Sequence, residues 1–133
     1  MEQLASLTNR KKSASRLTKN SKIIKTIIAA IQDKKGENII SLDLRKINEA
    51  VADFFIICEA GNGTQIRAIA DNVEDKVYEN CNERPYHHEG LQNLQWVLID
   101  YVNVVVHVMH PETRNFYNLE EMWSDAPNQE HND

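Results

Sequence analysis

Five histidines, two cysteines and one glycine-rich turn are the groups of this chain whose types and spacing could do chemistry. His107 and His110 stand three apart, a spacing that sends them to opposite faces of a strand. The neighbours His87 and His88 diverge in the same way if extended, and no cysteine pair has zinc-ligand spacing. No metal is expected. Cys58 lies inside an apolar run, where burial raises a thiol pKa and makes it inert, and Cys81 falls on the inner stripe of a helix. Gly61-Asn62-Gly63-Thr64 follows a strand and opens a helix, a place where backbone N–H groups can cradle an anion. The turn is not Gly-x-Gly-x-x-Gly, no Gly-Lys-Ser/Thr follows it, and it reads as a turn plus a helix cap. Metal-dependent nucleotidyl transfer needs carboxylates converging on divalent ions, commonly from an Asp-x-Asp pair, and the chain has none. Asp100 is the only acid in the two strongest strands, and nothing in the placement of Glu89 and Asp100 marks them as an acid–base pair. No catalytic residue and no cofactor is expected.

Charge narrows the function further. The net charge of -5 hides a split: residues 1–20 hold five bases and one acid, whereas 21–133 hold ten bases and 19 acids. An acidic body repels bare nucleic acid and attracts basic protein partners. The segment 1–20 reads as a flexible basic tail and as a candidate contact for RNA phosphates. Residues 125–133 are polar and read as a short frayed tail. With 41% hydrophobic residues and two cysteines, the chain fits one domain with a real core in a reducing cytoplasm. Its longest apolar run, 104–109 with His107 inside, is far short of the roughly 18 residues of a membrane span, and a polar N-terminus argues against a secretory signal.

The elements that must position these residues follow from periodicity. Ile23, Ile24, Ile27, Ile28 and Ile31 form one stripe of a helix capped by Ser21 and stopped at Gly36. Residues 39–44 alternate as a strand, with Ile40, Leu42 and Leu44 on one face. Residues 54–58 form a continuous apolar run, the pattern of a central strand covered on both faces. Thr64 caps a second helix to about Cys81, residues 86–89 form a short strand, and 96–101 and 104–109 form an antiparallel hairpin. Pro111 stops the last strand, and a short helix starts near Asn118 with Glu120 and Glu121 in its first turn. The order predicts an α/β or α+β domain with a mixed β-sheet and helices packed on it.

Read together, these residues form a recognisable series: Asp53-Phe54-Phe55-Ile56-Ile57-Cys58, the glycine turn, Arg67-Ala68-Ile69-Ala70-Asp71, Glu89-Gly90, Trp96-x-x-x-Asp100, His107, Arg114 and Phe116-Tyr117-x-Leu119-Glu120-x-x-Trp123. The series resembles the ribosomal silencing factor family, also called the Iojap family, over about residues 20–125. The resemblance implies a bacterial cytoplasmic protein that binds the large ribosomal subunit through its protein number fourteen. It implies hindered joining of the small subunit, damped translation in stationary phase or starvation, and a nucleotidyltransferase-like fold without catalytic acids. One departure is Val102-Asn103 where the family commonly has Gly-Asp. A nucleotidyltransferase-type enzyme and a dimeric interaction module with a non-ribosomal partner are the alternatives, and oligomeric state, monomer or homodimer, stays open.

A steric block needs a partner-specific surface. On the hairpin, Trp96 and Asp100 share one face, Tyr101 lies on the other, and His107 and Met109 share a face opposite an all-valine one. Trp96, Asp100, His107 and Met109, with Glu89 and Tyr101 nearby, are the expected docking patch, with Trp96 as anchor. The competing reading makes Trp96 and Met109 core residues under a helix. Arg114 and Tyr117 are expected to hold the last helix on the sheet.

Overall fold

Alternating and continuous apolar runs assemble here into a single six-stranded mixed sheet. The computed structural model describes residues 17–47 and 49–131. Its elements are α1 (Lys22–Asp33), β1 (Glu37–Asp43), β2 (Phe54–Glu59), α2 (Gly63–Cys81), β3 (His87–Glu89), β4 (Trp96–Asp100), β5 (Val104–Met109), α3 (Pro111–Tyr117), α4 (Leu119–Met122) and β6 (Asn128–Glu130). The strand order is β3-β4-β5-β2-β1-β6. Only the central β2–β5 pair is parallel; the others are antiparallel. This is the mixed sheet with packed helices that the element order predicts.

The centre of the sheet is buried on both faces, which is why strands β2, β4 and β5 read as unbroken apolar runs. Val104, Val106 and Val108 join Phe54, Ile56, Cys58, Val97 and Ile99 in a core under the isoleucine stripe of α1 and the inner face of α2. The opposite face buries Phe55, Ile57, Trp96, Leu98, Val105 and Met109 beneath Ala50, Ala52, Leu119 and Ala126. Cys58 is fully buried, and desolvation pushes its thiol pKa up to about 12, so it is inert at neutral pH.

Several boundaries differ from expectation, each for a local reason. Ser21 precedes α1, but its Oγ accepts from the Thr18 N–H instead of capping the helix. Lys35, at φ 63, holds the left-handed position past α1 that Gly36 was expected to take. Asn62, not Thr64, caps α2 by accepting from the Gln65 N–H at 2.8 Å. Pro111 both stops β5 and opens α3 at a first-turn position, where its missing N–H costs nothing. A helix therefore begins seven residues before Asn118, which is instead the left-handed residue between α3 and α4.

Within the described residues, 126–131 are also not a frayed tail. Residues 128–130 pair with β1 as an edge strand, Ala126 is buried, and Ser41 Oγ meets His131 Nε2 at 2.8 Å. The segment's polar composition hid this, because an edge strand with both faces wet has no apolar alternation to show. The expected basic tail lies, up to residue 16, outside the described residues. No helix among the described residues is long and apolar enough to cross a membrane.

The hairpin forms in the expected register, with Trp96 opposite Met109 and Leu98 opposite His107. Its turn carries strain: Val102 sits at φ 73, a region costly for a β-branched residue. The buried Asp100 carboxylate stabilises it by accepting the Val102 N–H at 2.7 Å.

Candidate docking surface

The hairpin supplies the expected patch residues, but it does not present them to solvent. Trp96, Asp100, Tyr101, His107 and Met109 are all buried. The patch expectation is corrected on that point: buried side chains cannot be first contacts for a partner. The reason is the second layer. Period-two alternation identifies two faces of a strand, but whether the second face is wet depends on what chain returns to cover it. Here α3, α4 and the 44–53 connection do so.

Glu89 is the exception, partly exposed at the end of β3. Its carboxylate lies 3.4 Å from His87 Nε2. Gly90 follows at φ 90, and a Cβ there would collide with the Trp96 carbonyl oxygen. The Glu89-Gly90 motif is thus a backbone requirement that places β3 against β4.

The buried residues form a ladder of rings. Phe55 meets His107 edge-on at 4.6 Å, His107 meets Trp96 at 5.9 Å, Trp96 meets Tyr117 at 5.0 Å, and Tyr117 meets Phe116 at 4.9 Å. The ladder runs from the sheet centre to the surface, where Phe116 is 79% exposed. Trp96 is a pillar under α3, and Phe116 is the ring that α3 shows to solvent. Glu112 stands exposed one turn before Phe116, and Glu121 and Met122 are exposed on α4. The exposed side chains of these two short helices thus include an aromatic ring, a methionine and two acids, a composition that suits a basic protein partner.

Arg114 fixes this surface to the sheet. It is 5% exposed and donates to the Asn38 carbonyl at 2.7 Å, to Glu59 at 3.1 Å and to Glu120 at 3.4 Å. The expectation that Arg114 and Tyr117 hold the last helical segment on the sheet matches this geometry. Phe116 belongs to the series that carries the family resemblance but was not among the expected patch residues. The signal was present once α3 is read as a helix: at about 100° per residue, a ring one place from Tyr117 and two from Arg114 cannot point inward with both.

His107 makes the ladder pH-sensitive. The Trp96 Nε1–H donates to His107 Nδ1 at 3.0 Å, so the ring proton sits on Nε2. Burial holds the His107 pKa down at about 3, so the folded state keeps it neutral. In the unfolded chain the imidazole titrates near 6.5. The unfolded state therefore binds the extra proton first, and this stability is full above pH 6.5 and lost as pH falls toward 3. The slope reaches about 1.4 kcal/mol per pH unit, or about 2 kcal/mol between pH 6.5 and 5. Urea midpoints measured at pH 7 and 5 should show that loss. His107→Asn, which keeps an acceptor near Nδ1, should flatten it.

Among the described residues no group of three or more His, Cys, Asp or Glu is placed to hold a metal ion. The model of the family "Ribosomal silencing factor during starvation" matches residues 17–133. The chain is 43% identical over 105 residues to the "Ribosomal silencing factor RsfS" of Bacillus subtilis, covering 79% of this chain and 87% of that one. It is 36% identical over 77 residues to the mouse protein "Mitochondrial assembly of ribosomal large subunit protein 1", covering 54% of this chain and 32% of that one. A crystal structure from Chromobacterium violaceum superposes with a TM-score of 0.73 at 35% identity, covering 77% of this chain and 83% of the other. With the ordered series of residues, the mixed sheet and these matches in hand, the chain belongs to the ribosomal silencing factor family.

Proposed function

We propose that the protein is a cytoplasmic, non-enzymatic silencing factor that binds the large ribosomal subunit through its protein number fourteen. It blocks joining with the small subunit and so represses translation when nutrients fail. The observation that carries the docking side of this reading is Phe116, an aromatic ring 79% exposed on a helix held rigid from below, with two acids exposed on α3 and α4. A steric block needs no catalysis, and the relatives are named for silencing rather than for a reaction. Rigidity matters because a preformed aromatic anchor gives up little entropy on binding. Trp96, His107 and Met109 serve the surface from beneath, whereas Asp100 holds the hairpin turn, Tyr101 packs in the opposite core with α1 and α2, and Glu89 stands on the edge strand β3.

Co-sedimentation with purified large and small subunits tests the reading. The protein should pellet with the large subunit alone. Phe116→Ala should remain folded, since the ring is solvated, and should lose about 2–4 kcal/mol of affinity, some 30- to 1,000-fold. Binding to neither subunit would overturn the function. Unchanged binding by Phe116→Ala would keep the function and remove α3 as its contact.

A further inference from the structure

The first helix does not share the acidity of the rest of the fold. Residues 17–35 contain five bases and one acid, whereas residues 36–131 contain six bases and 17 acids. Within the first stretch, Lys19, Lys22 and Lys25 are exposed along the start of α1, and Lys34 and Lys35 are exposed at its end. The chain is therefore electrically bipolar, and α1 lies on the sheet face opposite the Phe116 surface.

Two hollows flank the exposed ridge of α1, and Lys25 lines both. The first, of about 400 Å³, lies between α1 and the C-terminal strand and is lined by Lys19, Asn20, Lys25, Gln32, Gln129 and His131, with no acid among its lining residues. The second, of about 430 Å³, lies between α1 and α2, where Lys25 and Lys76 stand with Asn72 and Asn80. Asp33 is the one acid there, and the Asn72 amide binds it at 3.2 Å. Ala29 lies between the two hollows, so the ridge is low where the lysines rise around it. Lysines set beside side-chain amides suit a chain of phosphates: the ammonium groups neutralise charge, while the amides hydrogen-bond phosphate and sugar oxygens. One low-lying ridge between two shallow basic hollows fits a continuous strand crossing it better than a single small anion.

We propose that the exposed face of α1, with Lys19, Lys22 and Lys25 along its first turns, binds the phosphodiester backbone of RNA. The acidic remainder of the body confines RNA to this face by repelling it elsewhere. Base edges are not read, so the contact is sequence-independent and strongly salt-dependent. This surface stands apart from the protein-docking surface, and the two readings can fail separately.

The test uses the full chain and a fluorescent single-stranded RNA of mixed sequence, with anisotropy read from 50 to 200 mM salt. The wild-type protein should bind at low salt. Lys19→Gln, Lys22→Gln and Lys25→Gln combined should weaken binding about tenfold or more at 50 mM salt and reduce the log–log salt slope by about two. These side chains are exposed, so circular dichroism should be unchanged. A second variant, with Arg10, Lys11, Lys12 and Arg16 replaced by Gln, separates the helix face from the preceding segment. Absence of wild-type binding at 50 mM salt would overturn the proposal. So would binding that survives the triple variant, or is lost only in the second one. Phe116→Ala should bind this RNA as the wild type does, which keeps a failure here distinct from a failure of the docking reading.

Discussion

Trp96→Ala is expected to cost about 3–5 kcal/mol of stability, the range for deleting a buried tryptophan side chain. The side chain is 3% exposed and ties β4 to β5 and to α3 through His107 and Tyr117. Its removal opens a cavity that α3 cannot fill without leaving the sheet. It also leaves His107 Nδ1 unpaired in a ring whose Nε2 already has no partner. Each buried polar group abandoned in this way costs about 1–3 kcal/mol. Against a total stability of about 5–15 kcal/mol, the loss takes about a fifth or more of what holds the domain together. Trp96→Phe separates the terms, because it keeps an aromatic ring and most of the volume but loses the hydrogen bond to His107. It should cost about 1–3 kcal/mol. Urea unfolding of the three proteins at pH 7 measures both steps. Wild-type stability in Trp96→Ala would return Trp96 to the surface and restore it as an anchor.

The same tryptophan shows where the sequence stops being legible. The central apolar strand, the α1 stripe and the antiparallel hairpin follow from periodicity and a short connection, because each is decided by neighbours a few residues away, whereas the parallel β2–β5 pairing joins segments 50 residues apart. Whether the Trp96–His107–Met109 face is wet is decided by residues 44–53 and 111–126, which no local pattern ties to the hairpin. The mixed polar and soft apolar composition of that face fits a docking surface and a buried hydrogen-bonded layer equally well. β6 was hidden for a related reason: an exposed edge strand earns its place through backbone bonds to β1, not through side chains. Asn62 and Lys35 show the finer limit: α2 is capped two residues before Thr64, and Lys35 takes the left-handed position beside Gly36, the residue that intrinsic preference favours. The candidate site was legible in its supports, Arg114, Tyr117 and Trp96, but not in Phe116, the side chain they lift into solvent.

That division of labour makes Arg114 the second position of large expected effect. Arg114→Ala should cost about 3 kcal/mol, at the low end for breaking a buried ion pair because Glu59 and Glu120 keep some solvent. Three acceptors lose their donor at once: the Asn38 carbonyl, Glu59 and Glu120. Arg114→Lys should recover only part of this, since an ammonium cannot reproduce the guanidinium fork across β1, β2 and α4. Pairing Arg114→Ala with Glu59→Gln removes a carboxylate left without its partner. The double variant should therefore be more stable than the sum of the two single losses, by about 1–2 kcal/mol of coupling in a double-mutant cycle. Additivity within error would mean that Arg114 does not act through Glu59. Because Arg114 holds α3 and α3 carries Phe116, the variant should also weaken large-subunit binding under conditions where it is fully folded. Phe116→Ala should weaken that binding without the stability loss. Arg114→Ala losing stability but binding normally would separate the two roles and show that α3 need not be fixed to the sheet to dock.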